Sequence, residues 1–280
     1  MNLISHEEEY QHLIRLSGDR TSNMLNYVTG RNPENKCKNR YVNILPLEES
    51  IVSLKDKTYI NANYVLDKRY ISTQAPLRNT IDDFWKMIWE CNVNTIVMLT
   101  DFVENDIIKA DVYWPNILNN TIKCGEYIVK YVSIETINNE KSEIDYLIRT
   151  FIITNEDPTD VGSKASSSES RYVYHYHYLK WGDSSVPKDN QSLLNMIKRL
   201  NIHSITSPQR PIVVHCSAGV GRTGAFIAIH YLISLKRKER PSIFEIVRLI
   251  RKERESSVTT LEQYSWIYNF LKEYDELVIH

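Results

Sequence analysis

The chain has 280 residues, enough for one large domain or two small ones with a proper core. Its composition is that of a soluble globular protein, 42% hydrophobic and 25% charged. The net charge of -1 gives no bulk attraction to nucleic acid or to a membrane surface, so an anionic substrate would have to meet local positive charge.

Along the chain, the opening MNLISHEEEYQH lacks the apolar core of a secretory signal, and HEEEYQHLIRL has the spacing of a docking helix within a helical segment over residues 1–25. Residues 80–90 (TIDDFWKMIWE) predict a helix with Ile81, Phe84, Trp85, Ile88 and Trp89 on its apolar face. Residues 95–99 form a short apolar run suited to a buried strand and, like Phe151-Ile152-Ile153, far too short to span a bilayer. From 121 to 155 the chain alternates in β-like stretches, TIKCGEYIVKYVSIETI and EIDYLIRTFIIT. The polar, Ser-rich stretch 155–170 reads as an exposed loop. Alternation resumes in RYVYHYHY (171–178), whose tyrosines share one face and read as packing. After Pro211-Ile212-Val213-Val214 come a glycine-bearing turn and three helical patterns. Neither end carries a lipidation signal. With no repeat and no break in composition, the expectation is a single domain over residues 1–280, of α/β (α+β) class, with a mixed sheet flanked by helices. Cys37, Cys91, Cys124 and Cys216 form no close pairs, which predicts free thiols in a reducing cytoplasm.

The chemistry lies in the order apolar strand, Cys216, a turn holding Gly219, Gly221 and Gly224, then an apolar helix. Such a turn lets successive N–H groups cradle an anion, and the helix adds the positive end of its dipole. That setting suits phosphate, and it also lowers the pKa of a thiol. Arg222, six positions after Cys216, offers a planar fork for two phosphoryl oxygens. A nucleophile and a clamp about one cavity can transfer a phosphoryl group through a cysteinyl-phosphate. Taken alone, Cys-x5-Arg recurs by chance and Cys216 would be a buried inert thiol; the strand–loop–helix context argues otherwise.

HCSAGVGRTG resembles the signature loop of the classical, phosphotyrosine-specific protein tyrosine phosphatases, with the Cys-x5-Arg loop between a strand and a helix. Lys38-Asn39-Arg40-Tyr41, Tyr59-Ile60-Asn61-Ala62, Thr73-Gln74-Ala75-Pro76-Leu77 with Phe84-Trp85, Lys109 with Tyr113-Trp114-Pro115, and His175-Tyr176-His177-Tyr178 leading into Trp181 resemble further blocks of that family, in family order from about residue 39 to residue 268. The resemblance implies hydrolysis of phosphotyrosine in proteins. Cys216 would be the nucleophile, Arg222 the clamp, Thr223 the hydroxyl serving the sulfur as leaving group, and Asp183, on a mobile loop, the general acid. Ser217, Ala218, Gly219, Val220 and Gly221 would line the phosphate. Tyr41 would stack on the substrate ring and set a depth that phosphoserine cannot reach, and Asn43 would bind the peptide backbone. Glu104 and Lys109 would orient the arginine and the acid, Trp181 and Gly182 belong to the acid loop, His215 would support the thiolate, and Gln263 would position water. No cofactor or metal is implied. His175 and His177, two apart on a strand, lack the accompanying ligands of a zinc site and read as structural. Partners would be phosphotyrosine-containing proteins, without nucleic acid or membrane insertion.

Two positions depart from the family pattern. Gly182 stands where proline is usual, which predicts a costlier closed loop and modest turnover. Thr259 stands where the first of two glutamines is usual, which predicts slowed hydrolysis of the intermediate or sole reliance on Gln263. These departures keep open a phosphotyrosine-binding pseudophosphatase. Tyr41 and the chain length disfavour a shallow-pocketed dual-specificity enzyme, and the charge balance disfavours a nucleic-acid phosphatase. The Asn-, Ile- and Lys-rich, Gly-poor composition fits an A/T-rich genome, and compact members of the family occur in insect viruses; the corresponding expectation is a viral protein in the cytoplasm of a host cell.

Overall fold

The computed structural model describes residues 5–21, 24–156, 169–205 and 210–279. Helix α1 covers His6–Thr21 and a short α2 covers Val28–Arg31. Strands β1 (Ala62–Val65) and β2 (Tyr70–Thr73) precede helix α3 (Ile81–Glu90) and strand β3 (Thr95–Met98). A two-stranded hairpin of β4 (Val103–Glu104) and β5 (Ile107–Ile108) follows, then β6 (Thr121–Cys124), β7 (Tyr127–Asn138), β8 (Ile144–Asn155) and β9 (Ser170–Tyr178). Helix α4 (Asn190–Ile205), strand β10 (Ile212–His215) and helices α5 (Gly221–Ser234), α6 (Ile243–Glu253) and α7 (Leu261–Ile279) complete the order.

Eight of these strands form one mixed sheet in the order β1-β2-β10-β3-β9-β8-β7-β6. Its centre is parallel: β10 pairs in parallel with β2 and β3, and β3 with β9, while the flanks are antiparallel. Side chains alternate across a strand, and two cores result. Ile212 and Val214 of β10, Val97 of β3, and Tyr176 and Tyr178 of β9 pack into the core that holds residues of α1, α4, α5, α6 and α7. Val213, Ile96, Met98 and Val173 pack into the other, with α3 and the long β7–β8 hairpin. Each fully buried Val or Ile contributes about 1.5–3 kcal/mol, so a one-residue slip of β10 would expose a whole face. Cys216 continues the alternation and joins the first core at the C-terminal end of the central strand. That end is where open α/β sheets place ligands.

The expected helix over 80–90 begins one residue later, after a 3-10 turn at Arg78–Thr80, and buries Met87 besides Phe84, Trp85, Ile88 and Trp89; Ile81 is only half-buried. The strand expected over 95–99 ends at Met98, one residue short, and the N–H of Leu99 makes the closing bond of the parallel ladder, to the carbonyl of His215 (2.9 Å). The tyrosine stripe is packing for Tyr176 and Tyr178, while Tyr172 at its start is 55% exposed. Most of the Ser-rich stretch, residues 157–168, lies outside the described residues, as do residues 1–4, 22 and 23 of the N-terminal segment.

Candidate active site

Strand β10 delivers Cys216 to the floor of the loop and α5 opens at Gly221 behind it. The loop is shaped from outside, through its carbonyls. Ser217 O accepts from Ala75 N–H (2.9 Å), Ala218 O from Arg254 Nη2 (3.0 Å), and Gly219 O from Arg254 Nε (3.2 Å) and Ser72 Oγ (2.9 Å). A trans peptide carries its N–H opposite its C=O, so pinning the carbonyls outward turns the intervening N–H groups inward. Gly219 has φ +70°, and a Cβ there would lie 2.1 Å from the Thr73 carbonyl oxygen, so only glycine fits.

Cys216 is 4% exposed. Burial pushes its thiol up, but the Arg222 guanidinium, the Thr223 hydroxyl and the N–H groups of Thr223 and Val220 outweigh that and hold it below the usual thiol range. The Thr223 hydroxyl is buried and bonds no protein oxygen or nitrogen, which leaves it for the sulfur. Arg222, 2% exposed, spends both N–H groups of Nη1 on Glu104 Oε1 (2.6 Å) and the Trp181 carbonyl (2.8 Å). Nε and Nη2 remain as the fork for a phosphoryl group, with Nη2 3.3 Å from Asp183 Oδ1. The Trp181 carbonyl thus ties the loop carrying Asp183 to Arg222.

Asp183 accepts from Lys109 Nζ at 2.6 Å. Burial pushes its carboxyl up, but Lys109, Arg222 and the Ser184 N–H together bring it below the ordinary value. Gly182 lies outside the left-handed region, and its carbonyl accepts from Ser185 Oγ (2.9 Å), while Trp181 Nε1 donates to Ser185 O (2.8 Å). Glu104 on β4 and Lys109, the residue after β5, pair with Arg222 and Asp183 from the small hairpin.

Ser217 Oγ donates to the Lys109 carbonyl (2.7 Å) and accepts from the Tyr41 hydroxyl (2.9 Å), which stands the half-buried Tyr41 at the wall of the loop. Asn43 is exposed nearby, on a rim shared with Arg31 and Ser256. Gln263 is buried, and its Oε1 accepts from Thr259 N–H (3.0 Å). A Cβ on Gly221 would come within 2.9 Å of Thr259 Oγ1 and 3.1 Å of Gln263 Oε1, so both residues rest on the start of α5.

His215 serves the backbone rather than the sulfur. Its Nδ1–H donates to Cys216 O (3.0 Å), so Nε2 accepts from the Tyr113 hydroxyl (2.8 Å), which in turn accepts from His175 Nε2–H (2.8 Å). His177 donates from Nε2 to Thr100 O (2.8 Å), and its Nδ1 accepts from Arg149 (3.2 Å). Both strand histidines are therefore structural. Burial holds His215 down to about 3 and His177 and His230 down to about 4. The unfolded chain protonates these imidazoles near ~6.5 and the native one does not, so stability is full above that pH and lost as pH falls toward 4. The expected loss between pH 7 and pH 5 is about 2 kcal/mol per imidazole, read as a fall in the urea midpoint at constant slope.

The sequence patterns passed over Arg254, which is fully buried and also donates to Asn61 Oδ1 (2.8 Å) and Asn63 Oδ1 (2.9 Å). Burial brings it down to about 10, so it stays cationic beneath the loop. Its signal was present: Ile243, Ile246, Val247, Ile250, Arg251 and Arg254 follow core-face spacing, and arginines on that face need buried acceptors. The place of Tyr113 between two imidazoles has no local signature in the sequence.

The family profile described as protein-tyrosine phosphatase matches residues 35–273. Tyrosine-protein phosphatase 69D of Drosophila melanogaster is 36% identical over 275 residues, covering 94% of this chain and 18% of that protein. Human tyrosine-protein phosphatase non-receptor type 12 is also 36% identical, covering 93% of this chain and 33% of its own length. The chain thus spans a third or less of these relatives. Among solved structures, the catalytic domain of human protein tyrosine phosphatase non-receptor type 18 superposes with a TM-score of 0.83 at 30% identity, covering 96% of this chain and 95% of that one. A structure of PTPN18 in complex with HER2 phosphopeptides gives 0.84 at 29% identity, with 96% and 99% covered. On the loop, the sheet that carries it and these likenesses, the chain belongs to the protein-tyrosine phosphatase family.

Proposed function

We propose that the protein hydrolyses phosphotyrosine in proteins through a phosphocysteine. The observation that carries this reading is the buried Cys216, lowered in pKa under Arg222, with Asp183 latched over the same cavity. Cys216 Sγ attacks phosphorus while Nε and Nη2 of Arg222 and the loop N–H groups hold the equatorial oxygens. The tyrosine oxygen leaves with the proton of Asp183, because an unprotonated phenolate of pKa near ~10 leaves poorly. Water then attacks phosphorus, its proton goes to Asp183, and the electron pair of the S–P bond returns to sulfur beside the Thr223 hydroxyl. Tyr41 at the wall supports tyrosine selectivity, since a phosphoserine would not span the same depth. The PTPN18 complexes with HER2 phosphopeptides support phosphotyrosyl peptides as partners. Release of inorganic phosphate from a phosphotyrosyl peptide, set beside a phosphoserine peptide, tests the assignment.

The site's ion pairs set its pH dependence. Asp183 must be protonated to act as the acid, and Lys109 is the strongest of the groups holding it down. Lys109→Met removes that ammonium and keeps the carbonyl that anchors Ser217. The alkaline limb of kcat/KM should then move to higher pH; an unmoved limb, or one moved down, would count against Asp183 as its owner.

We place the reaction in the cytoplasm: all four cysteines are free, as a reducing compartment keeps them. Among the described residues, no helix is long and apolar enough to cross a membrane. The composition fits an insect-virus source, while the two relatives named above are animal proteins.

A further inference from the structure

Helix α1 reaches the segment that backs the catalytic loop through Tyr10. Tyr10, 6% exposed, donates its hydroxyl to the Thr259 carbonyl, 249 residues away in sequence, and lies 3.4 Å from that of Val258. The N–H of the same residue, Thr259, holds Gln263 Oε1 and shares its peptide with the Val258 carbonyl, so Tyr10 meets the peptides on both sides of Thr259; Val258 N–H donates to Val220 O of the loop (3.2 Å). This segment is strained: Val258 is β-branched, fully buried and at φ +56°, with Ser256 at +60°. Such backbone persists only where neighbours over-determine it. Two side chains do so here, Tyr10 and the buried Arg251, whose Nε and Nη2 donate to Ser257 O (2.8 Å) and Val258 O (2.9 Å) and whose guanidinium lies 5.4 Å from the centre of the Tyr10 ring.

We infer that Tyr10 is a positioning residue for the hydrolytic half of the reaction, fixing through the backbone on both sides of Thr259 the Gln263 carboxamide that places the attacking water. The inference rests on the phosphatase reading above. With Thr259 in place of a second carboxamide, Gln263 has no duplicate, so the anchoring of its partner peptide governs where water sits when the O–P bond forms and the S–P bond breaks. Formation of the phosphocysteine uses Cys216, Arg222 and Asp183, none of which bonds this segment, and the one bond from the segment to the loop named above, Val258 N–H to Val220 O, does not use the Tyr10 hydroxyl.

Tyr10→Phe deletes the hydroxyl and keeps the ring on Arg251. With one hydrogen bond lost, breakdown of the phosphoenzyme, followed by quench-flow with a phosphotyrosyl peptide, should slow by about 2- to 10-fold. The burst should grow, kcat and KM should fall together, and kcat/KM, which reports formation of the intermediate, should stay unchanged. Tyr268→Phe is the control: it removes a hydroxyl that docks α1 through Glu9 without touching Thr259. It should leave phosphoenzyme breakdown at the native rate even where it lowers the melting temperature. Equal effects of the two variants, a parallel loss of kcat and kcat/KM in Tyr10→Phe, or native breakdown in Tyr10→Phe would each overturn the inference while native turnover upheld the phosphatase reading. A native protein that released no phosphate would overturn both.

Discussion

Cys216→Ser should abolish phosphate release, by about 10⁴-fold or more, while phosphotyrosyl peptides still bind. Burial opposes an anion at the sulfur, and Arg222, the Thr223 hydroxyl and two backbone N–H groups outweigh it. A thiol can use that field because its intrinsic pKa lies near ~8.5; a serine hydroxyl starts so much higher that the same field leaves it protonated. The clamp survives the change, since Glu104 and the Trp181 carbonyl hold Nη1 of Arg222 without help from residue 216. Removing a thiolate from beneath a phosphate dianion also relieves repulsion, so the variant should bind a phosphotyrosyl peptide at least as tightly as the native protein. Calorimetric titration of the variant and a phosphate assay of both proteins check the two halves. A protein that only captured phosphotyrosine would release no phosphate in its native form, and the substitution would then change nothing in the assay.

The features legible in the sequence are those whose cause is local. Strand β10, Cys216, the glycines and α5 lie within 23 consecutive residues, 212–234, and each step of that order has a short-range signature. The apolar face of α3 and the alternation of β7 to β9 were readable for the same reason. The parts that stayed hidden are made by distance. Arg254 meets Asn61 and Asn63 from the far side of the chain, Tyr113 joins imidazoles from β9 and β10, and Tyr10 crosses from the first helix to the last turn before α7. His215 shows the limit from the other side: its neighbourhood to Cys216 was plain and the Cys216 carbonyl fixes its tautomer, but the group that takes its other nitrogen, Tyr113, comes from 102 residues away.

Asp183→Ala should cost about 10²- to 10⁴-fold in kcat on phosphotyrosyl peptide, the usual worth of a positioned proton donor. The loss should shrink as the leaving group improves, because a nitrophenolate needs no proton, whereas Cys216→Ser should be equally inert toward both substrates. KM should fall as well. In the free protein Asp183 Oδ1 sits 3.3 Å from Nη2 of Arg222, one of the two groups left for the phosphoryl oxygens, so the carboxylate competes with substrate for the fork. Removing it frees that nitrogen, and Lys109 loses the partner that neutralised it at 2.6 Å, which leaves more positive charge facing the dianion. The same pairings explain how a carboxyl with a lowered pKa can still donate a proton. When a phosphate dianion occupies the fork it cancels the charge of Arg222 and adds its own, and both effects raise the affinity of Asp183 for a proton. Substrate and proton therefore bind cooperatively, and the alkaline limb of kcat should lie above that of kcat/KM in the native enzyme and vanish from both in Asp183→Ala. Retention of the limb in the variant would assign it to another group and leave Asp183 as an electrostatic partner of Arg222 alone.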